Sequence, residues 1–108
     1  MQVSTCRTTS ISLLCHMTQK LELIVDDWRQ RGFSCDTWSD PPAQVWSDFV
    51  HDADELLMLL EGEIEIQMGG SILHPAIAEE VTIPAGMRHT VVNTGATANR
   101  WLYGYKID

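Results

Sequence analysis

Basic residues are scarce in this chain. Seven Lys and Arg stand against fifteen Asp and Glu over 108 residues, a formal charge of −8. Nucleic acid and anionic membrane surfaces are bound through basic patches, so neither is expected as a partner. Long apolar runs are missing as well. The longest, Leu56 to Leu60, falls far short of the roughly 20 residues that span a bilayer. Cys6, Cys15 and Cys35 are odd in number and form no CxxC pair. That excludes a disulfide framework or a zinc knuckle as the organising device and points to a reducing, cytoplasmic setting. Internal repeats and low-complexity tracts are also lacking.

What is present is an ordinary globular balance, 44% hydrophobic and 20% charged, in a length that suits one domain with a modest core. Residues 1–16 carry Arg7 and the short apolar piece Ile11 to Cys15, too weak for a secretory signal, and read as a flexible arm. Residues 17–32 read as a helix. Leu21, Ile24, Val25 and Trp28 follow three- and four-residue spacing, Thr18 is the expected N-cap, and Gly32 closes the element.

From residue 33 the character changes, with Gly and Pro punctuating short pieces. Phe33 to Ser39 reads as a strand and Asp40-Pro41-Pro42 as a loop. Val45 to His51 alternates, which places Val45, Ser47, Phe49 and His51 on one face and Trp46, Asp48 and Val50 on the other. Residues 52–61 are ambiguous, because Leu and Met favour helices. The clean alternation of Glu63 to Met68 beyond them, with Gly62 at a tight hairpin position, favours strand–turn–strand. Short strands follow at Ser71 to His74, Val81 to Ile83, His89 to Asn93 and Asn99 to Ile107. The last sets Trp101, Tyr103 and Tyr105 against Leu102 and Gly104, and the three aromatics suit either a cavity wall or a packed face. Such a series suggests an all-β sandwich or small barrel.

Two stretches carry chemistry. His51-Asp52-Ala53-Asp54-Glu55 leads into the apolar run, and Pro84-Ala85-Gly86-Met87-Arg88-His89 is followed by Asn93. Together they offer two imidazoles and a carboxylate, a set able to enclose one divalent metal or to form a metal-free polar cluster. On a continuous strand His51 and Glu55 would stand about 13 Å apart, too far to share an ion. A turn at residues 52–54 is therefore required, and Asp52 and Asp54 are its expected formers rather than ligands.

At these residues the chain resembles the cupins, whose two motifs have the forms G-x5-H-x-H-x3-E-x6-G and G-x5-P-x-G-x2-H-x3-N. His51-x3-Glu55-x6-Gly62 fits the end of the first, and Pro84-x-Gly86-x2-His89-x3-Asn93 most of the second. Ala78 stands where the second motif opens with glycine, the opening glycine of the first is not cleanly matched, and Phe49 replaces the first histidine. The resemblance implies a double-stranded β-helix, a jelly-roll-like barrel, over residues 33–108. It implies metal ligands at His51, Glu55 and His89, with Fe, Mn, Ni or Zn as the cofactor. Phe49, Arg88, Asn93 and Tyr103 are the other candidate pocket residues. It also implies a homodimer and a small-molecule ligand, with oxygenase-like or isomerase-like chemistry. The alternative is a non-catalytic binding or sensing barrel in which Phe49 marks a degenerate site.

Overall fold

Residues 55–61 read Glu-Leu-Leu-Met-Leu-Leu-Glu. A strand apolar on both sides needs cover on both sides, and that requirement organises the molecule. The computed structural model describes residues 9–107, with side chains from Lys20 onward. One helix, α1 (Thr9–Gln30), precedes eight strands. These are β1 (Asp36–Asp40), β2 (Val45–Phe49), β3 (Glu55–Glu61), β4 (Glu65–Met68), β5 (Ser71–Leu73), β6 (Glu80–Ile83), β7 (His89–Val92) and β8 (Asn99–Tyr105). They form two four-stranded antiparallel sheets, ordered β1-β8-β3-β6 and β2-β7-β4-β5. The described residues thus form an all-β barrel with one helix.

Alternate residues of β3 serve two cores. Leu57 and Leu59 pack between the sheets with Ile64, Ile66, Val81, Ile83, Val91 and Trp101. Leu56 and Met58 face outward and are covered by α1, where Trp28 is fully buried beside Cys35 and Leu102. Leu21, Ile24 and Val25 complete that layer, the face that helical spacing assigned to the core. Glu80 on β6 pins the end of the helix. It accepts from the Trp28 indole at 3.1 Å and from both terminal nitrogens of Arg31 at 2.8 Å. Burial pushes the Cys35 thiol up to about 11, so this cysteine fills space and is not a reactive group.

Four local expectations need correction. The helix already runs from Thr9 through Thr18, so Thr18 is no cap and the second half of the segment read as an arm is helical backbone. Residues 1–8 lie outside the described residues. β3 and β4 do not form a hairpin; they belong to opposite sheets, and Gly62 turns the corner between them. Its φ of 82° and the Asn99 Cα only 3.1 Å from where a Cβ would sit leave no room for a side chain. Asp40 closes β1 as a buried strand residue, not as part of a loop. The alternation of β2 is broken between Trp46 and Phe49 by a bulge with Asp48 at φ 57°. One extra residue reverses the faces, so Trp46 and Phe49 both point inward.

Ala78, where the cupin pattern has glycine, sits at φ 72°. A Cβ there is strained, so Ala78→Gly should stabilise the fold by about 0.5–1 kcal/mol, net of glycine's entropy cost. Thermal unfolding of the variant checks this.

Candidate metal centre

Three elements deliver the candidate ligands. His51 follows β2, Glu55 opens β3 and His89 opens β7. The required turn at residues 52–54 is stapled to the second motif. The Asp54 carboxylate accepts from the Ala85 amide at 2.8 Å, and the His51 carbonyl accepts from the Gly86 amide at 2.8 Å. The Asp54 carbonyl also accepts from the Lys106 amide, which anchors the turn to the chain after β8. Asp54 is a turn former, as the sequence implied, and two motifs about 30 residues apart meet through one backbone–backbone bond and one bond to the Asp54 carboxylate.

The donor atoms converge. One ligand atom from each of His51, Glu55 and His89 lies within 4.8 Å of the other two. Glu55 Oε1 is 3.5 Å from His51 Nε2 and 3.5 Å from His89 Nε2. These separations are too long for hydrogen bonds, and Glu55 Oε1 is buried with no hydrogen-bond partner. Burial pushes the Glu55 carboxyl up to about 7. It also lowers His51, with the neighbouring His89 adding to the effect and Asp52 opposing it. His89 Nδ1 is 3.0 Å from the Met87 carbonyl. A carbonyl only accepts, so Nδ1 carries the proton and Nε2 presents its lone pair towards Glu55. Lone pairs facing one another call for a cation. Donors about 2.1 Å from a tetrahedral ion stand about 3.4 Å apart, close to the 3.5 Å from Glu55 Oε1 to each imidazole nitrogen. The residues fit a divalent metal.

Phe49 pairs with His89 across β2 and β7. Its ring stacks 5.8 Å from the His51 ring and lies 6.2 Å from that of His89, filling the fourth place beside the donors. Phe49→His should therefore tighten metal binding by about an order of magnitude or more, as read by competition with a chromophoric chelator.

The donors line one end of a cavity of about 170 Å³, whose walls include Trp38, Trp46, Val91, Trp101, Tyr103 and Tyr105. Phe49 and Tyr103 thus belong to the pocket, and the aromatic row of β8 faces inward. Tyr105, which the motif reading left unassigned, places its hydroxyl 3.4 Å from His51 Nε2. Arg88 does not belong: it is exposed on a separate depression beside Asp48 and Thr90. Asn93 does not either. It is buried in a brace, its side-chain nitrogen facing the carbonyls of Asp40, Pro41 and Thr97 and its oxygen accepting from Gly95 at 2.9 Å.

Asp40 is the residue that sequence reasoning missed. It is only 3% exposed, and three indoles aim at its carboxylate. Trp38 Nε1 stands 2.8 Å away, Trp46 Nε1 3.0 Å and Trp101 Nε1 3.4 Å. The one available signal was a chain with four tryptophans, three of them at inward strand positions.

No family model matches the chain, and no curated protein does. Solved structures do resemble it. A cupin superfamily protein from Desulfitobacterium hafniense is 20% identical at a TM-score of 0.62, covering 70% of this chain and 68% of its own. A predicted oxalate decarboxylase from Thermotoga maritima is 18% identical at a TM-score of 0.64, covering 76% and 73%. A salicylate 1,2-dioxygenase from Pseudaminobacter salicylatoxidans is 14% identical at 0.64, covering 69% of this chain but 22% of the dioxygenase. The likeness is one of fold.

Proposed function

We propose that this chain, a cupin-type barrel, holds one divalent metal through His51, Glu55 and His89 and acts on a small organic molecule bound beside it. The observation that carries this is Glu55 Oε1, buried without a hydrogen bond and 3.5 Å from each of two imidazole nitrogens. A bound metal supplies a Lewis acid with coordination positions left for water, oxygen or a substrate oxygen. The chain's own residues do the rest. His89 is fixed in one tautomer by Met87, Phe49 stacks on the His51 ring, and Tyr105 sets a hydroxyl at the edge of the cluster. The aromatic walls orient a ligand of about the size of one six-membered ring, since a cavity near 150 Å³ accepts benzene. Oxygenase-like or isomerase-like chemistry fits three protein ligands with open positions.

Elemental analysis of protein purified without chelators tests the reading. About one Fe, Mn, Ni or Zn per chain is expected, and metal-dependent turnover in a small-molecule mixture should vanish in His89→Ala. Phe49 favours a second reading, a non-catalytic binding or sensing barrel, which predicts ligand binding indifferent to His51→Ala. We place the protein in the cytoplasm, on three cysteines that are odd in number and form no CxxC pair; no helix among the described residues is long and apolar enough to cross a membrane. We also take it to be a homodimer. β8 turns its aromatics inward, so the proposed contact surface is exposed Val45 and Ile72 on the opposite sheet, with Val50 just after β2. Sedimentation showing only monomer at micromolar concentration would refute that.

A further inference from the structure

The metal donors occupy one end of the cavity and leave the character of the other end unexplained. That end is a box of aromatic rings. Trp38 meets Trp46 edge-on with centroids 6.2 Å apart, and Trp46 stacks on Phe49 at 5.9 Å. Across from them Trp101, Tyr103 and Tyr105 continue the wall at 5.8 and 6.0 Å. Among the described residues, no Lys or Arg lines the cavity. The acidic side chains at it are Glu55, in the lining at the metal end, and Asp40, behind the indoles.

Each element of this arrangement selects on charge. An organic anion would enter a box with negative ring faces and no guanidinium or ammonium to meet it at the aromatic end. An organic cation meets an aromatic lining, a surface that attracts cations, with a buried carboxylate behind the indoles. The three indole N–H groups point at Asp40, which fixes the ring planes while leaving a net negative charge in place. A carboxylate held this way positions the box and sets its potential at once.

We infer that the aromatic end of the cavity binds a small organic cation, a tertiary or quaternary ammonium group, with any oxygen donor of the same ligand directed to the His51–Glu55–His89 end. This names a substrate class for the proposed function and shares its cavity. It does not depend on a metal being bound.

The experiment compares three probes of one shape by calorimetry or tryptophan fluorescence: choline, its uncharged isostere neohexyl alcohol, and the anion tert-butylacetate. The protein is used as purified, and zinc is titrated in parallel. Choline should bind about tenfold or more tighter than the alcohol, and the anion weakest. Asp40→Asn should erase most of the preference for choline. Trp38→Leu, at a position 43% exposed at the mouth, should weaken choline by about tenfold even if Asp40→Asn fails to fold. Equal binding of choline and the alcohol overturns the inference, as does tighter binding of the anion or no choline binding at millimolar concentration. Zinc binding without a choline preference overturns this inference alone. A choline preference without zinc binding overturns the metal reading alone.

Discussion

Stripped of metal, the protein should lose about 3 kcal/mol of stability between pH 4.5 and pH 7 through Glu55 alone. The sign follows from the raised carboxyl. Its ordinary value is 4.5 and burial lifts it to about 7, so within that window the folded state binds a proton that the unfolded state has released. Stability from the protonated form is complete below 4.5, falls as pH rises and levels off above 7. His51 works the other way. Its lowered value means the unfolded chain takes up a proton first near pH 6.5, so His51 adds stability as pH rises through that region. Glu55→Gln isolates the larger effect. Denaturant unfolding of chelated protein at pH 5 and pH 8 should show a marked drop for the parent and little for the variant. Added zinc should reverse the trend, since the metal replaces the proton and needs the ionised carboxylate. Equal pH slopes for parent and variant would contradict the buried, unpartnered carboxylate.

Gly104→Ala should cost about 3 kcal/mol or more, enough to unfold much of the population of a domain this size. Gly104 lies on β8 facing α1, where the chain entering β1 crosses directly over it. An added Cβ would overlap the Ser34 carbonyl oxygen, lie 2.8 Å from the Ser34 carbonyl carbon and stand 3.0 Å from the Trp28 ring. Backbone cannot swing aside as a side chain can. Ser34 is also tied down, its amide donating to the Tyr105 carbonyl at 3.0 Å and its hydroxyl accepting from the Tyr105 amide at 3.0 Å. A near-parental unfolding midpoint for the variant would show that this crossing is looser than drawn.

The legible parts of the sequence were those written locally. Pro84-Ala85-Gly86 and the Asp52–Asp54 segment are turns whose residue types dictate their geometry, and they bring His51, Glu55 and His89 together. The helix face was legible too, because Leu21, Ile24, Val25 and Trp28 share one side at 3.6-residue periodicity. Sheet membership was not. Alternation in Glu63 to Met68 reveals a strand but not its partner, and β4 joins β7 instead of folding back on β3. The bulge at Asp48 left no mark in the pattern, yet it turned Trp46 into the cavity. Asp40 looked like the start of a Pro-Pro loop because Asn99 and Trp101, which bury it from the neighbouring strand, lie 59 and 61 positions away, although Trp38 and Trp46 are only 2 and 6 away. Arg88 was drawn towards the site by adjacency to His89, but it lies just before β7 begins, exposed on the depression beside Asp48 and Thr90.

The central claim is that three side chains form one metal site. Calorimetric titration of zinc into chelated protein tests it most directly, with His89→Ala and Glu55→Gln as controls. One ion per chain is expected, with protons released below about pH 7 as Glu55 ionises and affinity lowered by about a hundredfold or more in either variant. Binding of equal strength in parent and both variants, or no binding at all, would contradict it.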